Sequence, residues 1–255
     1  MKRTNSFDYI KIILLTIVVL LVESCVFYNN FNYLPQKQNV MVFKEKGDVV
    51  FTTSLGFYRE FGIEAGYAFN DFLGAYSSFH QFDISRGGNS KSYMWENELI
   101  AFKKFNNGIY TAVNAGIGIG QLNTNNPYYT NYLNHEYLLP SVGYNFNKTF
   151  YMLCSTRFSL LNYDIKPLMN LNNDYDQQKI YRYFNLTGIQ NDAHHFLVEP
   201  ALTLGFGLKY MKLEFQCVAR VSPAPIELHF ERSNLTTSVS FYLDKIFPAK
   251  KQQLK

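Results

Sequence analysis

The sequence predicts an all-β fold: an antiparallel, up-and-down transmembrane β-barrel of about ten strands, within a range of about 8–12, preceded by a short N-terminal tether. Three observations predict it. Residues 109–120 alternate strictly, with Ile109, Thr111, Val113, Ala115, Ile117 and Ile119 on one face and Tyr110, Ala112, Asn114, Gly116, Gly118 and Gly120 on the other. Period-two alternation marks a strand whose faces meet different surroundings, and about a dozen residues suits a tilted bilayer crossing. The same design recurs across residues 48–243. After the first hairpin, the connections between alternating segments run short, long, short, long, as turns and loops do on the two sides of a membrane barrel.

Composition agrees. A chain of 255 residues holds one barrel domain. Its 47% hydrophobic content is too low for a helical membrane bundle but ordinary for a barrel with a polar interior. The 20 tyrosines and 23 phenylalanines suit strands and membrane interfaces. A formal charge of +4 is too mild to point to nucleic acid. Cys25, Cys154 and Cys217 form no disulfide framework. A monomer without a cofactor is expected.

Residues 1–24 read as a secretory signal: Lys2, Arg3 and Lys11 precede the apolar run 12–22, which is too short to span a bilayer as a helix. Val22-Glu23-Ser24-Cys25 resembles the bacterial lipoprotein signal, which implies acylation at Cys25. Val26-Phe27-Tyr28 follows without an acidic residue, and that resemblance implies a lipid held on the periplasmic side. Residues 25–47 lack clean alternation and read as a lipidated tether.

The strands follow in order. Residues 48–58 set Phe51, Thr53, Leu55 and Phe57 against Val50, Thr52, Ser54 and Gly56. Residues 61–69 alternate likewise and end at the turn pair Asn70-Asp71. Residues 72–83 form a third strand whose facing stays open. Residues 86–90, with Gly87-Gly88, are a loop. Residues 92–105 oppose Trp95, Leu99 and Ala101 to Glu96 and Glu98, and Asn106-Asn107-Gly108 is a hairpin signal leading into 109–120. Residues 121–134 form a Tyr- and Asn-rich loop. In 135–146, Pro140 lacks a ladder donor and predicts a bulge. Asn147-Lys148 turns the chain into 149–161. After the long polar stretch 162–194 come 196–208, a turn at 209–212, 213–221, a loop over 222–233, and 235–243.

The polar face is mostly Gly, Ser, Thr, Ala and Asn. It suits a narrow, crowded lumen better than the Lys- and Glu-dense exterior of a soluble barrel. The apolar face, with Cys154 and Cys217, is then turned to lipid. The lumen receives Glu64, Glu96, Glu98, Arg157, Glu199, Glu214 and Arg220. Buried charges need partners, so these residues read as a network that plugs the barrel, with Arg157 and Arg220 as bidentate clamps.

Two polar clusters invite other readings. His194-His195, with Glu199 nearby, is the only candidate site for a lipid-modifying hydrolase, but no motif marks a nucleophile. Asn170, Asn172, Asp174 and Asp176 have calcium-loop spacing, yet Tyr175 and Tyr181 stand where Gly and Glu are required. In residues 162–194, Tyr163, Tyr175, Tyr181 and Tyr183 lie among Asn and Asp, a mixture suited to contacting an extracellular or envelope partner.

Residues 48–243 resemble the small bacterial outer-membrane β-barrels. Residues 35–47, with Asn39-Val40 and Glu45-Lys46-Gly47, resemble the lead-in of their lipoprotein branch. The resemblance implies outer-membrane lipid as the surroundings and a non-enzymatic structural or loop-mediated role. Connection lengths place both chain ends on the periplasmic side, with residues 244–255 as a basic tail. The alternatives are a lipid-modifying hydrolase and a soluble, lipoprotein-anchored barrel binding an apolar ligand.

Overall fold

The computed structural model describes residues 34–40, 43, 45–56, 60–83, 91–122, 129–147, 149–167, 194–207, 210–221 and 233–246. Ten strands make the wall: β1 (Val49–Gly56), β2 (Phe61–Ala68), β3 (Leu73–Asp83), β4 (Lys91–Lys104), β5 (Ile109–Leu122), β6 (Tyr129–Asn145), β7 (Phe150–Pro167), β8 (His194–Gly207), β9 (Met211–Ala219) and β10 (Ser233–Tyr242). Each pairs antiparallel with its chain neighbour, and β1 pairs with β10 to close the barrel. Closure gives every strand two partners and leaves no open edge.

The short turns share one chemistry. Asn70 Oδ1 accepts the backbone N–H of Phe72 at 2.9 Å and of Leu73 at 2.7 Å. Asn147 Oδ1 accepts those of Thr149 and Phe150 at 2.7 Å each. Asn107 Oδ1 accepts that of Ile109 at 3.2 Å, and the next residue, Gly108, takes a φ of 86° that a side chain would disfavour. These turns, the start of β1 and the end of β10 define the turn end of the barrel. The connections after β1, β3, β5, β7 and β9 define the opposite, loop end.

Three expectations are corrected. The β6–β7 register is the same on both sides of Pro140, with Leu138 opposite Phe158 and Ser141 opposite Ser155. Pro140 therefore interrupts the ladder without making a bulge. β6 begins at Tyr129, inside the stretch read as a loop, and β7 runs on to Pro167. Tyr163 thus belongs to a strand, opposite Leu133, and not to a loop.

Facing follows the alternation. Val113 and Ile117 point outward, 50% and 62% exposed, while Tyr110, Ala112 and Asn114 are buried inside. Cys154 also points outward. β3, whose facing the sequence left open, sends Tyr76, Ser78, His80 and Phe82 inward. Large apolar groups cover the exterior, and near the turn end Tyr144, Phe146, Phe150 and Phe206 form a chain of rings with centroids 5.1–5.2 Å apart.

The stretch read as a tether does not stay outside the wall. Leu34, the residues 36–39 and Phe43 are buried; Lys37, Gln38 and Asn39 bond inward-facing side chains of the strands, and the Phe43 ring lies against Gly74 of β3. Pro35 meets Asn234 at the loop end, and Glu45 meets Lys245 at the turn end, before β1 begins. The described residues therefore run from Leu34 at one end of the barrel to the single-turn helix Leu243–Ile246 at the other.

Candidate functional site: the barrel interior

The interior is built in tiers, and the N-terminal segment takes part in most of them. At the loop end, Glu60 lies 3.1 Å from Nδ1 of His80 and accepts a 2.7 Å hydrogen bond from Asn234 Nδ2. The same Asn234 amide donates to Pro35 O at 2.9 Å.

Below it, Lys37 Nζ donates to Glu64 Oε1 at 3.0 Å and Oε2 at 2.8 Å. Ser54 Oγ and Tyr76 OH also donate to Glu64. Three other strands hold a second group: Arg157 Nη1 on β7 and His135 Nε2 on β6 each lie 3.1 Å from Glu96 Oε1 on β4. Arg157 Nε lies 3.9 Å from Glu199 Oε2, its Nη2 donates to Lys37 O at 3.3 Å, and its guanidinium lies 4.8 Å over the Tyr137 ring. Arg157 thus bridges two carboxylates and the N-terminal segment.

Gln38 is bound on three strands. Its backbone N–H donates to Gln216 Oε1 at 2.6 Å, its O accepts from Gln216 Nε2 at 3.0 Å, and its side chain joins Ser155 Oγ and Glu199 O. Asn39 continues the pattern. Its amide donates to Glu98 Oε1 at 2.7 Å, and Asn114 donates both to Asn39 O and to Glu98 Oε2. Tyr137 OH adds a 2.9 Å bond to Glu98. Polar groups taken from water must find partners, and these side chains supply them to an otherwise irregular backbone.

Nearer the turn end, Glu214 accepts from Tyr151 OH and from Ser238 Oγ at 3.2 Å. Lys212 Nζ lies 5.1 Å over both Tyr151 and Tyr242. The base is apolar: Val40 and Phe43 pack with Ile100, Phe102, Tyr110 and Leu139. Phe43 and Phe102 have ring centroids 5.5 Å apart.

The glycine-rich face of β5 acquires a role here. An added Cβ at Gly116 would come within 2.3 Å of Tyr137 Cζ, and one at Gly118 within 1.9 Å of His135 Nε2. These glycines make room for large side chains on β6. They are seats for aromatic groups, a use of strand glycine that a close approach requires.

Of the charged residues expected inside, Glu64, Glu96, Glu98, Arg157, Glu199 and Glu214 are all buried there. Arg220 follows the end of β9 and is half-buried. Glu60, His80, His135, Lys37 and Lys212 belong to the interior but were not singled out by the sequence. His194 is exposed beside Asn162, while Glu199, of opposite parity on β8, is buried beside Arg157. His195 shares the inward parity of Glu199 on β8, and only His194 lies on the opposite face of the wall. Cys25, Tyr175, Tyr181 and Tyr183 lie outside the described residues, as do the residues with calcium-loop spacing.

No family model matches the chain, and no curated protein matches its sequence. Among solved structures the chain is similar to a KdgM porin, with 8% identity and a TM-score of 0.36 over 76% of this chain and 98% of that one. It is similar also to a KdgM porin in complex with disordered oligogalacturonate, with 10% identity and a TM-score of 0.36 over the same shares. A third likeness is to the N-terminal β-barrel domain of Pseudomonas aeruginosa OprF, with 8% identity and a TM-score of 0.32 over 78% of this chain and 97% of that one. Likenesses this distant carry no weight for function, which must be read from the chain's own residues.

Proposed function

We propose that this chain is a bacterial outer-membrane β-barrel closed by its own N-terminal segment. It serves as a non-enzymatic envelope component that presents its loops, and it does not act as an open channel. The observation that carries this reading is the seating of residues 37–39 in the lumen, bonded to Glu64, Gln216, Glu98 and Asn114. A porin wide enough for an aqueous channel uses many more strands, and ten strands leave an interior that one peptide segment fills.

Membrane residence is supported by the exterior. A soluble monomer rarely exposes a continuous apolar surface, whereas this wall turns Leu99, Val113, Ile117, Leu138, Val142 and their neighbours outward. Aromatic rings near the turn end suit a membrane interface. Cys25 is the proposed acylation site, to be checked by mass spectrometry of the mature N-terminus. Residues 168–193 are the proposed contact for an external partner.

Arginine substitution tests the facing. A lipid-facing Arg near the midplane costs roughly 2–4 kcal/mol in a membrane barrel. Val113→Arg and Ile117→Arg are each expected to block assembly, read as loss of the heat-modifiable band and of the membrane-fraction protein. Parent-like assembly of both variants contradicts the reading.

A further inference from the structure

The lumen holds more acid than base. Among the described residues, six carboxylates are buried on its wall, those of Glu60, Glu64, Glu96, Glu98, Glu199 and Glu214. They run from the loop end, where Glu60 meets Asn234, to Glu214 nearer the turn end, beside Tyr151 and Ser238. The wall's buried bases are Arg157, Lys212, His80 and His135. Even with both histidines charged, the carboxylates outnumber them. Arg157 is shared between Glu96 and Glu199, and Lys212 lies over the rings of Tyr151 and Tyr242.

The segment that fills this space brings one cation. Lys37 is the only charged residue in the stretch 34–40, and its ammonium lies 2.8 and 3.0 Å from the two oxygens of Glu64. Two residues on, the neutral Asn39 amide meets Glu98 at 2.7 Å. The segment is no part of the ladder. Among the described residues of 34–43, the backbone-to-backbone hydrogen bond is internal, from Val40 N–H to Gln38 O at 3.0 Å. The wall closes without the segment, because each of its ten strands pairs with two others.

We propose that residues 37–39 are a removable stopper in a cation-selective passage, and that the Lys37 ammonium occupies the place at Glu64 which a mobile monovalent cation takes when the segment is withdrawn. This rests on the closed membrane-barrel reading above and names what the lumen passes when opened. Carboxylates lining a narrow path attract cations and repel anions, and low-dielectric walls focus their field. Withdrawal strips Glu64 of its counter-charge and Glu98 of the Asn39 amide, so the path grows more negative as it opens. An anion finds Arg157 already engaged by two carboxylates, whereas a cation finds Glu64 and Glu98 released.

The test is reversal-potential recording in planar bilayers with the full-length chain, under a KCl gradient whose dilute side is about 0.1 M, where screening is modest. The parent is expected to stay silent. Lys37→Ala with Gln38→Ala and Asn39→Ala is expected to give steps with a K+ over Cl− permeability ratio of at least about tenfold. Adding Glu64→Gln and Glu98→Gln to that variant should bring the ratio toward unity. Steps that prefer Cl−, or neither ion, overturn the inference and leave closure by the segment standing. A ratio unmoved by the two glutamine substitutions also overturns it. Stable conductance from the parent overturns the closed reading, and the stopper with it. A triple variant that is embedded and heat-modifiable yet silent overturns the inference alone. Should the triple variant not assemble, Lys37→Gln, which removes the tethered cation and keeps the neighbouring amides, decides the question. Brief K+-preferring openings support the inference, and an embedded Lys37→Gln protein that is silent or prefers Cl− overturns it.

Discussion

Lys37 Nζ lies 2.8 Å from Glu64 Oε2 inside the barrel, with both side chains almost wholly cut off from solvent. This pair fastens a side chain of the N-terminal segment to the wall by an ion pair, beside hydrogen bonds from Arg157 to Lys37 O and from Asn39 to Glu98. Removing one member strands the other, and a buried pair broken in this way loses about 3–5 kcal/mol. Lys37→Ala is expected to destabilise the barrel by that amount. Lys37→Met combined with Glu64→Gln should recover most of the loss, because no unpaired charge remains. Urea unfolding followed by Trp95 fluorescence measures both. Equal midpoints for parent and Lys37→Ala contradict the role given to the pair.

Arg157 makes a different prediction, because its planar head serves Glu96, Glu199 and the Lys37 carbonyl together. A lysine keeps the charge but lacks the fork. Arg157→Lys is expected to restore only part of the stability that Arg157→Ala loses. Parent-like unfolding of Arg157→Lys would show that charge alone suffices.

The glycine seats can be tested at Gly205, where a Cβ would come within 2.0 Å of Tyr151 Cζ. Gly205→Ala should push Tyr151 away from Glu214 and cost about 1–3 kcal/mol, the usual range for overpacking. In a Tyr151→Ala background the same change should cost little, so the double-mutant cycle shows strong coupling. Additive losses contradict the assignment.

At the turn end, Lys245 lies 2.5 Å from Glu45, 3.3 Å from Asp48 and 3.0 Å from Asp244. Hydrogen bonds to these carboxylates, with Glu45 first, raise its pKa above 10.5. A lysine whose folded pKa is raised contributes stability that is fully present below 10.5 and is lost as pH rises through the folded value. Because the lysine is partly exposed, the contribution is limited to about 1 kcal/mol. Lys245→Met should therefore unfold slightly earlier than the parent near neutrality. The gap should close as pH rises beyond 10.5, as unfolding midpoints across that range will record.

Much of the wall was legible in the sequence because lipid and lumen impose opposite demands on alternate residues. Residues 109–120 carry that contrast cleanly, and β5 begins at Ile109 as read. Residues 129–134 do not, since Tyr and Asn stand on both faces there, and the strand was missed. β3 mixes apolar and polar groups on each face, so His80 could not be assigned to the interior. The N-terminal segment was illegible for a deeper reason. Gln36, Lys37, Gln38 and Asn39 have the composition of a solvated linker, and a segment threaded through a polar lumen needs the same side chains. Only their partners distinguish the two, and those lie from 27 to 178 residues away in the chain.

Single-channel recording in planar bilayers tests closure by the N-terminal segment most directly. The full-length protein is expected to insert without stable conductance steps. Loosening the segment by Lys37→Ala with Gln38→Ala and Asn39→Ala should produce steps that the parent lacks. Stable, large conductance from the parent protein would contradict the account.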